Sequence, residues 1–372
     1  MSEVTERSAL GGKVAGIGVR LPTLLTRRDL VVLVVFAIAV LTMPTWLVAL
    51  GGYEALATKI VIWAIFALGF DILLGLTGYL SFGHAAFFGT AAYVTGLSLK
   101  HLSADILPAM ALSFVVVLVV ALALGVLTLR RSGIYFAILT LAFAEMAHAL
   151  VLSSTLQKWT GGDNGLTGLA SPSLFGSRLS DHSVFYICSA LLIAGYVFAR
   201  VLRRSPLGLM LRSIKENQMR LEYTGVNVFA YKMAAFVVSA MYAGLAGSLM
   251  VIYEPYVATK YLYWSTSGEV VIMSVIGGVG TLIGPIFGAG FMLYFENVVQ
   301  AFIGEQWKLL LGIIFVAIVI FLPGGFADLG RLGWKAMGGV VRSRRHNVPD
   351  MPGSVEEDRR RRQRGDLEED DD

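Results

Sequence analysis

The chain has 372 residues, 56% of them apolar and only 15% charged, with a formal net charge of +4 and a mean hydropathy of +0.70. A soluble domain carries about 25% charge, so this composition lacks the polar surface to cover a soluble globule. Several apolar runs of about 18 or more residues belong in a bilayer, where every backbone polar group must be satisfied internally. The runs lack the alternation of barrel strands, so an all-α, multi-pass membrane protein is predicted.

Residues 1–29 are polar and carry Arg7, Lys13, Arg20, Arg27 and Arg28 ahead of the apolar run Leu30 to Leu50. Further apolar runs follow near Ala57 to Leu76, His84 to Leu99, Ile106 to Leu129 and Ile134 to Leu152. After a polar loop, 153–182, come Ser183 to Leu202, Ala230 to Tyr253, Glu269 to Ile283, Gly284 to Val299 and Gln306 to Leu322. Counting alternately from a cytoplasmic start puts Arg130, Arg131, the 203–232 loop and the basic C-terminal segment inside. Lys59, Lys100, Lys158, Arg178, Lys260 and Lys308 fall outside, singly. This is the positive-inside pattern, and it places both termini in the cytoplasm and the 153–182 loop in the periplasm. Ala57 to Leu99 and Glu269 to Val299 each leave from and return to the outer side, as two spans or as a re-entrant hairpin, so about 8–10 spans are expected. The membrane-spanning body is expected at 30–330, and the alternating arginine and acid blocks of 331–372 read as a disordered cytoplasmic tail able to touch anionic lipid or a soluble partner. Cys188 is the single cysteine, so no intrachain disulfide can form.

The 203–232 loop holds the clearest local signal. Leu207, Met210, Leu211, Ile214 and Leu221 make one stripe of an amphipathic helix, with Ser205 as its cap, Pro206 as its first residue and Gly225 as its stop. Arg212, Lys215, Glu216 and Arg220 are expected to face away from that stripe. A charged helix held between two spans is a docking surface for a soluble partner.

Two glycine-rich stretches interrupt apolar runs. The first, Gly75 to Gly89, includes Thr77, Gly78, Ser81 and His84; a break there either lines a pathway or makes a tight turn. The second, Gly277 to Gly288, includes Gly278. Its Gly280, Gly284 and Gly288 repeat every four residues, which suits close helix packing or a break near the substrate path. These glycines form no GxGxxG after a strand, so dinucleotide binding is excluded. Asp71, Glu145 and Glu296 are acids inside apolar runs, and Glu145 could share a proton with His148 on the same helix face. His84 has no second histidine or cysteine nearby, so no metal site is expected.

Taken together these stretches resemble the permease subunits of bacterial branched-chain amino acid ABC transporters, the LivM-like branch, over roughly residues 55–330. The resemblance rests on Gly75 to Gly89, the outer run Thr160 to Gly168, and Ser205-Pro206, Gly208, Arg212, Ile214, Glu216-Asn217, Gly225-Val226-Asn227 and Tyr231-Lys232. It continues through Ala243-Gly244-Leu245-Ala246-Gly247, Gly277 to Thr281, Gly284-Pro285 and Pro323-Gly324-Gly325. It implies a polytopic helical permease with glycine-broken segments in the bacterial inner membrane. The implied partners are a second homologous permease subunit, two cytoplasmic ATP-binding subunits and a periplasmic substrate-binding protein. Arg212, Glu216, Asn217, Arg220 and Gly225 are assigned to ATPase docking, and the substrate pathway to Thr77, Gly78, Ser81, His84, Glu145 and Gly278. Met219, Leu221 and Tyr223 stand where relatives carry small residues.

No Walker A sequence is present, so ATP would be hydrolysed on a separate subunit, with no cofactor, metal, enzymatic chemistry or nucleic acid expected on this chain. Branched-chain amino acids are the expected substrate, with urea, short amides or small carboxylates as alternatives within the same architecture. An ion-coupled secondary carrier would need paired acids within the spans, and a membrane-embedded enzyme a clustered catalytic set. The acids here are isolated.

Overall fold

The computed structural model describes residues 27–322 and 324–326. Residues 1–26 of the expected N-terminal segment, Pro323 of the closing motif and the 331–372 tail lie outside the described residues. In order, the α-helices are α1 (Arg27–Leu41), α2 (Met43–Ala49), α3 (Glu54–Thr77), α4 (His84–His101), α5 (Ile106–Thr128), α6 (Ile134–Leu152) and α7 (Gln157–Thr160). They continue as α8 (Asp181–Arg204), α9 (Pro206–Tyr223), α10 (Val228–Tyr253), α11 (Trp264–Gly277), α12 (Ile283–Ile303) and α13 (Trp307–Phe321). A two-residue hairpin, β1 (Ser173–Leu174) with β2 (Ser177–Arg178), sits in the 153–180 loop, with Ser173 paired to Arg178.

Among the described residues six helices, α3, α5, α6, α8, α10 and α12, are long and apolar enough to cross a membrane, and a seventh span arises if α1 and α2, bent by 60°, count as one. This is fewer than the sequence suggests, although the predicted apolar runs are mostly helical, the Glu269 to Ile283 run being broken at 278–282. The difference lies in three runs. Helix α4, 18 residues, carries His84, Lys100 and His101 among its glycines and threonines. Helix α13 has 15 residues. Helix α11 has 14, about 21 Å at 1.5 Å per residue, short of a hydrocarbon core of about 30 Å.

The centre of the bundle is α3, buried along almost its whole length, with α10 beside it. Both are apolar around their full circumference, which is the pattern of a helix with neighbours on all sides. Small residues let backbones approach there, since lipid offers no hydrophobic drive for helix association. Gly69 of α3 faces Tyr242 of α10, and Gly247 of α10 lies against the Phe88 carbonyl of α4, so close that a Cβ could not fit at either position. Helices α5, α6 and α12 keep much of their apolar surface exposed, including Val115, Val119, Ile134, Ile138 and Phe287.

Two helices start within the depth of the bundle. His84 at the start of α4 bonds Ser239, the twelfth residue of α10, about 16 Å along that helix. The non-helical residues 78–83 thus carry the chain from the end of α3 back into the bundle before α4 begins. At the opposite end, Leu166 and Val257 exchange two backbone hydrogen bonds of 3.0 and 3.1 Å. Beyond Val257 the chain dips inward through a 3-10 turn, Thr259–Leu262, and α11 starts beside the start of α4, where the Ala85 amide donates to Ser267 Oγ at 2.7 Å. Gly165 sits against the Val257 carbonyl at a positive φ of 70°, which accounts for the glycine density of the outer motif.

Candidate functional site

Helix α9 forms as its local sequence dictates. Ser205 Oγ accepts from the Gly208 amide at 3.2 Å, Pro206 opens the helix, and Gly225, with φ of 80°, ends it. Leu211 and Ile214 are buried, Leu207 and Leu221 pack against the core, and Arg212, Glu216 and Arg220 are exposed. The helix is not continuous. Asn217 takes an extended conformation (φ −159°, ψ 93°), and its Oδ1 accepts from the Arg220 amide at 2.9 Å, so it caps a second, short helical segment. The Glu216-Asn217 pair therefore marks a kink, and both side chains face outward beside it. Asp29, buried at the start of α1, pairs with Arg200 and Arg204 at the end of α8, which brings the α1 start to the same end as α9.

Lys215 is exposed, as expected, but its head group turns back toward α3. Its Nζ donates to the Gly75 carbonyl of α3 at 3.0 Å, because the stem can lie along Gly78, where a Cβ would come within 3.3 Å of Lys215 Cγ. A second contact joins α9 to the first break. The Tyr79 hydroxyl donates to Gln218 Oε1 at 2.8 Å and accepts from Lys232 Nζ at 3.2 Å. Lys232 also donates to the Leu129 carbonyl at the end of α5, and Gln218 donates to Glu222. Burial, with the Glu222 charge second, holds the Tyr79 phenol above its ordinary pKa, so it stays a neutral donor.

Of the four pathway residues predicted in the first break, Thr77, Ser81 and His84 are buried and Gly78 is exposed, and they mostly bond locally. Thr77 Oγ1 donates to the Leu73 carbonyl and accepts from the Tyr79 amide, and Gly78 closes α3 with φ of 77°. Ser81 Oγ accepts from the Gly83 amide. Ser239 Oγ donates to the Gly69 carbonyl at 2.6 Å, so His84 Nε2 must be the donor of its 2.8 Å bond to Ser239. That fixes the tautomer and leaves Nδ1 as a buried acceptor without a partner, in a ring edged by Phe70, Phe87 and Phe236.

The second break, 278–282, lies against the first. A Cβ on Gly75 would meet Gly280 Cα at 2.7 Å, and the fully buried Asp71 carboxylate accepts from the Gly280 amide at 2.6 Å and the Leu282 amide at 3.1 Å. Gly278 ends α11 with φ of 109°, and Thr281 bridges the turn by donating to the Gly278 carbonyl and accepting from the Gly284 amide. Of the three glycines spaced four apart, Gly284 and Gly288 press on the α11 backbone at Gly277 and Met273, whereas Gly280, with φ of 80°, is the turn residue that meets α3.

Glu145 is not drawn into this assembly. It lies on α6 with Oε1 buried and unpartnered, and His148, which the sequence allows as its partner, packs its ring on Tyr263 instead, at 5.1 Å. Glu296 lies on the partly exposed α12. The residues that do join elements here, Asp71, Tyr79, Lys215 and Ser267, carry no local signal for these roles, because each contact spans at least 139 positions. Among the described residues no group of three or more histidine, cysteine or acidic side chains could hold a metal ion.

Comparison with known proteins accords with this architecture. The family model described as "Branched-chain amino acid transport system / permease component" matches residues 52–319. The high-affinity branched-chain amino acid transport system permease protein LivM of Salmonella typhimurium is 28% identical over 316 residues, covering 78% of this chain and 73% of the relative. LivM of Escherichia coli K12 is 27% identical with the same coverage, and LivH of Escherichia coli K12 is 22% identical over 285 residues, covering 72% of this chain and 91% of the relative. A match that takes in both glycine breaks, α9 and the central helices settles the kinship: the chain belongs to the family of branched-chain amino acid transport system permease components.

Proposed function

We propose that this chain is a translocation subunit of an ATP-driven importer for branched-chain amino acids, with α9 as the surface on which a separate ATP-hydrolysing subunit docks. The observation that carries the reading is α9 itself. It is a kinked helix between two long apolar helices, with Leu211 and Ile214 anchored in the core and Arg212, Glu216 and Arg220 presented outward. Such a surface suits a soluble partner that moves it, and the partner's ATP cycle would switch which side of the membrane the pathway faces. The basic residues near α9, including Arg130, Arg131 and Arg203, support a cytoplasmic position for it and for both termini. A second homologous permease would complete the pathway, and a periplasmic binding protein would deliver substrate to the 153–180 end. The amino acid preference follows the family's description and the names of the LivM relatives.

Reconstitution tests this reading. The chain, co-expressed with its neighbouring transport subunits and placed in liposomes, should take up leucine only with ATP on the α9 side. Reversing the charge of Glu216 or Arg220 should lower transport without preventing insertion. Leucine uptake that persists with no ATPase present, or that follows an ion gradient alone, would overturn the proposal.

A further inference from the structure

We infer that Lys215 and Asp71 are positioning residues that carry a displacement of α9 to both glycine breaks at once. The inference rests on the reading of α9 as the docking helix. The last carbonyls of a helix lack intrahelical partners. At Gly75 the deficit is sharpened, since the amide that would normally serve it, that of Tyr79, is diverted to Thr77 Oγ1. The Lys215 ammonium fills this place from α9, 140 residues away. The last turn of α3 is thereby tied to the docking helix by a charged hydrogen bond rather than by apolar contact alone.

The same turn of α3 holds the second break. Asp71 and Gly75 are four residues apart, so they lie one above the other on a single helix face. Gly75 touches Gly280, and the Asp71 carboxylate grips the amides of Gly280 and Leu282. Leu282 has φ of 64°, a left-handed conformation that costs a leucine free energy and persists only where its surroundings impose it. It is also the residue just before α12. Asp71 therefore holds, from another helix, the turn that leads into α12, and its negative charge lies before the positive end of that helix. A pull on Lys215 reaches Gly75 directly, Gly280 by backbone contact, and the start of α12 through Asp71. After the lysine, the side chain in the route is the short, fully buried Asp71. Tyr79, bonded to Gln218 of α9, links the 78–83 segment to the same movement.

The test measures transported leucine per ATP hydrolysed in the reconstituted complex. Lys215→Met keeps the stem that packs on Gly78 and removes the donor; Asp71→Asn keeps the shape and weakens the double acceptor. Each should lower the ratio about tenfold, the scale of a typical coupling free energy. Lys215→Arg should restore most of it, and the double variant should be no worse than the more severe single one, because the two act in series. A ratio unchanged in Lys215→Met overturns the inference. So does a transport loss that arginine does not rescue and that merely tracks a fall in folded protein. If Asp71→Asn fails to insert, the Lys215 pair decides alone. A wild-type complex that does not couple to ATP at all would instead refute the docking reading on which this one stands.

Discussion

His84 donates through Nε2 to Ser239 Oγ at 2.8 Å, and the Ser239 hydroxyl donates in turn to the Gly69 carbonyl at 2.6 Å, so three helices, α4, α10 and α3, meet in one polar chain inside an apolar core. Ser239→Ala would leave the imidazole N–H buried without an acceptor. A buried donor stripped of its partner costs about 1–3 kcal/mol. The variant should therefore lose that much stability in denaturant unfolding of the detergent-solubilised protein. Ser239→Thr, which keeps the hydroxyl, should lose less.

The α4–α10 contact gives a sharper steric test. A Cβ on Gly247 would run into the Phe88 carbonyl, which is helix backbone and cannot step aside, whereas a Cβ on Gly268 meets nothing within 4 Å. Gly247→Ala should destabilise by about 1–3 kcal/mol, the usual cost of overpacking, and reduce the yield of monodisperse protein. Gly268→Ala should stay within about 0.5 kcal/mol of the parent. Equal behaviour of the two in thermal unfolding would contradict the packing described for Gly247.

The ends of α9 are set by local chemistry and can be probed without touching its exposed face. Ser205→Ala removes the oxygen that accepts from the Gly208 amide and should cost about 1 kcal/mol of helix stability. Gly225→Ala meets no atom within 4 Å, so its cost is purely that of holding φ at 80°, about 1–2 kcal/mol. In hydrogen exchange both variants should open residues 206–223 about fivefold faster or more, with α3 and α10 unaffected.

The limits of sequence reading can be seen residue by residue. Helix α9 was legible because its information is local: a cap, a proline, an apolar stripe at helical spacing and a stop glycine all lie within 21 residues. The bond that Lys215 makes is not legible for the same reason. The lysine's position on the helix wheel points outward, and only the neighbouring Gly78, bare of a side chain, lets the stem fold back to Gly75. The Glu145–His148 pair fits its spacing but is not formed, because Tyr263, 115 positions beyond His148, takes the imidazole face. Of the residues expected along a pathway at the first break, Thr77 and Ser81 bond within the turn and Gly78 closes α3. His84 is the exception, with one nitrogen bonded across helices and the other left without a partner.

By itself the sequence determined that the chain is a multi-pass helical membrane protein, where its helices run, and that α9 has one anchored and one exposed face. Composition and period are enough for these, since burial of backbone in lipid admits no other secondary structure and an amphipathic stripe is a local property. Tertiary structure alone decided that α4 and α11 begin within the bundle, that the two glycine breaks touch, and that a buried aspartate on α3 holds the turn before α12. Those facts depend on backbones meeting at distances that only glycine permits, between segments some 200 residues apart, and no periodicity in the chain encodes which glycine will face which.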